Sequence, residues 1–195
     1  MTPASRTSIY SKHPVLLPKP ALKNLVLIWY DGIGKQDIRW VVENGTFPEL
    51  EKHYLKSVIH IVQSIQAADT PDDEIREAVI IWDMDGFSMR QVGHPQTLSS
   101  LVKMGTKFND VPLEFAGKVF LINANYVTKK AVDIARPFMG NVLENVEVLP
   151  TNRDVWLPRL LTTFPLDIVP EWFGGNNNTK PLWVYGHRKY ENVSS

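Results

Sequence analysis

The sequence predicts an α/β fold in which a mainly parallel β-sheet forms a floor and helices flank it. Three observations carry that expectation. Short apolar runs of strand length recur, as in AVIIWD at 78–83 and KVFLIN at 118–123, and a run without polar alternation is the pattern of a strand covered on both faces. Between those runs lie segments whose apolar residues recur at spacings of three and four, the period of a helix with one buried side. Strands joined through helices need crossover connections, and crossovers make parallel neighbours.

The elements follow in chain order. Residues 1–23 are proline-punctuated and polar, which suits an extended arm. Residues 24–30 (NLVLIWY) read as a buried strand that ends in a turn at Asp31-Gly32. From 48 to 66, Leu50, Tyr54, Val58, Ile61, Val62 and Ile65 mark an amphipathic helix. An acidic, proline-containing loop at 67–74 leads into the strand at 78–83. His94-Pro95 opens a helix over 95–108 with Leu98, Leu101, Val102, Gly105 and Phe108 at helical spacing. The strand at 118–123 is followed by a helix over 127–138, a short strand at 146–149 and a helical segment at 154–161. The folded unit is expected to span 24–175, with 176–195 as a tail and GGNNN at 174–178 as an exposed turn.

Composition narrows the function. The chain of 195 residues can bury a core without staples, and its zero cysteines exclude disulfides, thiol catalysis and cysteine-ligated zinc. With 21 basic residues against 21 acidic ones there is no global field to hold a polyanion, so no nucleic-acid partner is expected. The first 25 residues lack the continuous apolar core of a secretory signal, and no apolar run approaches the roughly 20 residues that cross a bilayer. A cytoplasmic protein with only peripheral membrane contact is the expectation. The charge is unevenly placed: 71–117 holds four basic residues against eight acidic, whereas 118–140 holds Lys118, Lys129, Lys130 and Arg136 against Asp133 alone.

Several motifs invite a chemical reading. VIIWDMDG at 79–86 resembles the first motif of haloacid dehalogenase-like phosphatases, with Asp83 as nucleophile and Asp85 as acid/base. Later aspartates are isolated, and Phe87 stands where that family has Thr, so a strand-end turn is the better reading. DGIGK at 31–35 lacks a glycine and the hydroxyl residue of a phosphate-cradling loop. His53 and His60 are seven apart, two helical turns rather than the one that lets two histidines share a metal, and no metal or cofactor is expected. On the 127–138 helix, Val127, Ala131, Ile134 and Phe138 share one face of a 100° wheel, with Ala135 beside them. Lys129, Lys130, Asp133 and Arg136 share the other.

Taken in order, WDMDGFSM (82–89), GKVFLINAN (117–125), ARPFM (135–139) and FPLDIVPEWFGG (164–175) resemble the CRAL-TRIO lipid-binding domain, in the form of its tocopherol-transfer and retinaldehyde-binding branch. The resemblance covers about 24–175. It implies a CRAL-TRIO-like sheet floor and helical walls enclosing an apolar lipid cavity, closed by a mobile gate helix, and carriage of a lipophilic small molecule or phospholipid without catalysis. By position it places Phe87 and Ser88 at the start of the wall, Leu98 and Leu101 on the next helix, Ile122 at the end of the central strand, and Val127, Ala131, Ile134, Ala135 and Phe138 on the gate, facing the ligand. Lys129, Lys130 and Arg136 then face an anionic membrane surface. Glu114 matches the acidic position that helps hold an inositol headgroup in the phosphatidylinositol-transfer branch, but the partner lysine position holds Asn145. Two further departures are Asn123-Ala124-Asn125 where the family has Asn-x-Pro, and Thr128 where the gate begins with a bulky apolar residue. The helical region that usually precedes such a domain is expected to be missing from the short stretch before residue 24. Two alternatives stay open: a domain of this type that has become a protein-interaction module, and a magnesium phosphatase using Asp83 and Asp85.

Overall fold

In the computed structural model, four strands lie side by side in sequence order: β2 (Leu27–Asp31), β3 (Ala78–Asp83), β4 (Ala116–Ala124) and β5 (Val146–Pro150). All three pairings are parallel, so the sheet is wholly rather than mainly parallel. The structure describes residues 10–11, 27–72, 74–109, 115–139, 143–167, 169–177 and 184–185. The expected strand residues 24–26, most of the 1–23 arm and most of the 176–195 tail lie outside these. Within them, β1 (Tyr10–Ser11) pairs antiparallel with β6 (Val184–Tyr185).

Sequential parallel order settles where the helices go. A right-handed crossover carries its helix to one side of the sheet, and three crossovers that all step in the same direction use the same side. That side receives α1 (Ile38–Glu43), α2 (Phe47–Ala68), α3 (Met89–Val92), α4 (Pro95–Asn109) and α5 (Tyr126–Ala135). The chain then leaves β5 into α6 (Arg153–Leu161), which turns to the opposite face.

Strand alternation separates two cores. Ile28, Val79, Ile81, Phe120, Ile122 and Leu149 point to the α6 side and meet Trp156, Leu160, Phe164, Val169 and Phe173. Trp29, Ala78, Ile80, Val119 and Leu121 point to the helical layer and meet Ile61 and Ile65 of α2, with Ile75, Met84 and Phe87. On the α6 side, Glu147 accepts from Arg159 Nη2 at 2.9 Å and lies 3.2 Å from Lys118. These neighbours, Arg159 above all, hold its carboxyl below the ordinary carboxylate value.

The expected elements are present with small boundary shifts, and two helices were not legible. α1 and α3 hold only six and four residues, too short for a period to emerge. Side chains define them instead. Asp37 accepts from Trp40 N at 3.1 Å to open α1. Ser88 and Gln91 form a reciprocal capping box on α3. The 127–138 helix needs correction, since α5 stops at Ala135. Pro137 has no N–H to continue the ladder, and Phe138 N and Met139 N both turn back to Ala135 O at 2.9 and 3.0 Å. The GGNNN turn is less exposed than expected. Gly174 and Gly175 are half-buried, and Asn176 N and Asn177 N donate to Leu166 O and Val169 O.

The two glycine motifs that invited phosphate chemistry pack on each other. DGIGK forms a 3₁₀ turn at Ile33–Lys35. A Cβ at Gly34 would sit 2.3 Å from the Met84 and Asp85 backbone. Gly86, at φ +88°, closes the other side of this contact, and Lys35 Nζ lies 3.4 Å from Asp85 Oδ2. Gly34→Ala should therefore lower the unfolding free energy by about 2 kcal/mol or more, as overpacking against backbone does. In denaturant titrations Gly32→Ala, whose Cβ would meet nothing within 4 Å, should leave the midpoint unchanged. Equal midpoints for the two variants would contradict the interlock.

Candidate functional site

The two faces of the sheet are packed unequally. Among the described residues, three partly buried hydrophobic residues flank the core on the α6 side, whereas on the helical side there are ten, among them Trp82, Val92, Val127, Ala131, Val132, Val146 and Val148. The apolar residues of α4 behave the same way. Leu98, Leu101, Val102 and Phe108 are half-buried, and neither core cluster includes them. An apolar surface between helices and sheet that is only half removed from water is the common setting of a lipophilic ligand site.

α5 is fixed at its first turn by one side chain. Asn125 Oδ1 accepts from Thr128 N at 3.0 Å and caps the helix. Its Nδ2 donates to Phe87 O at 2.6 Å, tying the cap to the loop after β3. Thr128, 1% exposed, is buried beneath this clamp. A bulky apolar side chain is not needed where a hydroxyl can also reach Asn125 Oδ1, at 3.3 Å. Neither Asn125 nor Thr128 stood out as a site residue in the sequence; the signal available was an asparagine three residues before a threonine at a helix start.

The face of α5 turned to the sheet is Val127, Thr128, Ala131 and Val132, with Ala135 half-buried. Ile134 and Phe138 are 47% and 50% exposed, so the expected stripe of Val127, Ala131, Ile134 and Phe138 is split. The buried stripe is rotated toward Thr128 by the Asn125 clamp, and Pro137 carries Phe138 off the helix. Lys129, Lys130 and Arg136 are exposed, and Lys130 Nζ lies 5.7 Å from the centroid of the Tyr126 ring. Tyr126 itself is 72% exposed.

The other sequence-nominated residues divide by face. Phe87 joins the helical-side core, and Ser88 beside it donates to Gln91 Oε1 at 2.9 Å as part of the α3 cap. Ile122 is fully buried on the α6 side, with the sheet between it and α5. Glu114 lies outside the described residues. Asn145 donates to Ala116 O at 3.2 Å and accepts from Val119 N, so it stitches the entry of β5 to β4.

At the carboxyl ends of the strands, Asp83 Oδ1 accepts from Asp85 N at 3.0 Å and from Asn123 Nδ2 at 2.9 Å. Asn123, at φ +55°, also accepts from Trp156 Nε1 at 3.1 Å. Asp83 is thus held in a structural clamp, and Asp85 turns away to Lys35. Asp31 ends β2 within a second network. Its Oδ1 accepts from Gln36 Nε2 at 3.3 Å, and Gln36 Oε1 accepts from Tyr54 OH at 2.6 Å. Burial pushes the Asp31 carboxyl up to about 7. Among the described residues no helix is long and apolar enough to cross a membrane.

Comparison with known proteins places these features in a family. The model of the CRAL/TRIO domain matches residues 24–175. Among solved structures, that of Sfh5 superposes with a TM-score of 0.55 at 14% identity, over 80% of this chain and 51% of that one. The chain thus spans about half the length of that protein. No curated protein matches the sequence.

Two substitutions probe the site's construction. Asn125→Ala removes both the cap and the Phe87 tie, and should cost about 1–2 kcal/mol and speed amide hydrogen exchange through α5. Exchange confined to other elements would contradict the clamp. Asp31 in the folded state keeps its proton from its ordinary value of 3.8 up to about 7, so folded stability falls as pH rises through that window. Asp31→Asn should therefore stabilise the protein more at pH 8 than at pH 4, read from thermal melts; an equal shift at both would contradict the burial effect.

Proposed function

The chain belongs to the CRAL/TRIO domain family, a family of lipid-binding proteins, and from that premise we propose that it holds one lipophilic molecule or phospholipid between its helical layer and the sheet and transfers or presents it at membranes. The observation that carries this reading is the unequal packing of the two sheet faces. A face meant only for stability would close as the α6 side does. The helical side instead leaves Trp82, Val146 and Val148 of the strands, Leu98 and Leu101 of α4 and Val127 and Ala131 of α5 only half-buried. Burial of hydrocarbon is worth about 0.8 kcal/mol per CH₂, so a lipid seated there would complete the packing and take its own hydrocarbon out of water.

In this reading α5 is the gate. The Asn125 clamp holds its first turn, and the far end, with Ile134 and Phe138 exposed, is the end that opens. Lys129, Lys130 and Arg136 face outward to meet anionic headgroups, and the protein works as a cytoplasmic, peripheral carrier without catalysis. The splitting of the apolar stripe supports a gate over a static wall, because an exposed Ile and Phe beside three cations suit insertion at a bilayer surface.

Native mass spectrometry of protein purified from cells should show a co-purifying lipid; a consistently empty, folded chain would sink the proposal. Lys129→Glu with Lys130→Glu should weaken partition onto anionic vesicles at low salt by at least fivefold per charge. Unchanged partition would remove α5 from the membrane contact.

A further inference from the structure

Helix α2 carries more on its outer side than a core-packing helix requires. Its inner side is settled: Leu50, Ile61 and Ile65 are buried, the last two against the sheet. Yet Leu55 and Ile59, one turn apart on the opposite side, are 39% and 54% exposed. Lys52 and Lys56, also one turn apart and exposed, run alongside them. The four side chains fall within an arc of about 100° on a helical wheel. From Lys52 to the last residue of α2, Ala68, the helix has no aspartate or glutamate. Glu51, one residue earlier, is turned toward α4 and paired with Lys107 at 2.8 Å.

An aliphatic pair flanked by two lysines, which outnumber the exposed Glu49 one turn before Lys52, is the composition of a helix that lies on an anionic bilayer. Its placement agrees. Ile61 and Ile65 of α2 pack on the same sheet face as Val127, Ala131 and Val132 of α5. The outer sides of the two helices therefore look the same way, and exposed Lys103 of α4 lies in the same layer. We propose that the outer stripe of α2 is a second membrane-docking contact, in which Leu55 and Ile59 enter the headgroup region and Lys52 and Lys56 meet anionic lipid, so that the helical layer docks at two places rather than through α5 alone. The inference rests on the preceding reading for the bilayer as partner, and not on carriage of a ligand.

The test is co-sedimentation of the full chain at low salt with vesicles of phosphatidylcholine alone and of phosphatidylcholine with phosphatidylserine. Lys52→Gln with Lys56→Gln should reduce partition onto the anionic vesicles about fivefold for each lysine replaced, and should flatten its dependence on salt. Leu55→Ser with Ile59→Ser should reduce partition while leaving the salt dependence in place. All four positions are exposed, so thermal melts of both variants should match the parent. Anionic-vesicle binding equal to the parent's in both α2 variants, alongside a loss on Lys129→Glu with Lys130→Glu, would overturn the proposal. So would a dimer in light scattering that Leu55→Ser with Ile59→Ser dissolves, since the stripe would then be an interface between copies of the chain. Native mass spectrometry separates the two readings: a chain empty of lipid that binds vesicles through α2 refutes carriage alone, and a lipid-loaded chain indifferent to the α2 variants refutes the second contact alone.

Discussion

The handedness of the crossover connection is the constraint on which the rest of this structure depends. Four parallel strands in sequence order require three crossovers stepping in one direction, and a right-twisted strand accepts only the right-handed path back onto the sheet. Five helices are thereby collected on one face before the chain has any freedom to cover the other. Among the described residues, α6 and the segment ending at Phe173 do that. They do it with large side chains: Trp156, Phe164 and Phe173 from outside meet Phe120 from the sheet, the Phe120–Phe164 and Trp156–Phe173 ring pairs both lying edge to face at 6.1 Å.

The two faces acquire different physical characters from this division of labour. A face covered by one helix and a few aromatics closes tightly. A face covered by several amphipathic helices of unequal length must also accommodate contacts within that layer, such as Gly105 of α4 receiving the side chain of Met139, just past α5. It retains half-buried apolar surface where their inner sides do not all reach the strands. That surface is what a lipid-binding family needs, and the same layer presents the exposed Lys129, Lys130 and Arg136.

The carboxyl ends of β3 and β4 are held by side-chain hydrogen bonds. Asn123 takes a left-handed conformation that costs on the order of 1 kcal/mol and is repaid through hydrogen bonds to Asp83 and Trp156. Asn125, two residues later, serves the opposite side by capping α5 and reaching Phe87. A single Asn-Ala-Asn segment thus pins both layers to the end of β4. The left-handed residue falls beside the irregularity in the β4–β5 register, between Leu121 and Ala124, which gives the two asparagines their separate directions. The nearby glycine turns at Gly34 and Gly86 add a backbone-to-backbone contact that no side chain could occupy.

Much of this was legible in the chain. The centres of the AVIIWD and KVFLIN runs, 78–82 and 119–122, are apolar because both faces of their strands are covered, and the period of 48–66 survives because α2 is long and one-sided. The family resemblance, resting on four motifs in order, extends over the same 24–175 that the family model matches. α1 and α3 escaped because six and four residues cannot show a period, and they are defined by their caps, Asp37 accepting from Trp40 N and Ser88 paired with Gln91. By itself the sequence determined the four strands of the main sheet, the longer helices and that the sheet is mainly parallel, since these follow from local periodicity and connection length. Only the tertiary structure decided that Ile122 and Phe87 lie on opposite faces, that α5 turns Thr128 rather than Ile134 inward, and that DGIGK and DMDG pack together. Each of those depends on where distant backbones meet, and periodicity along one segment carries no information about that.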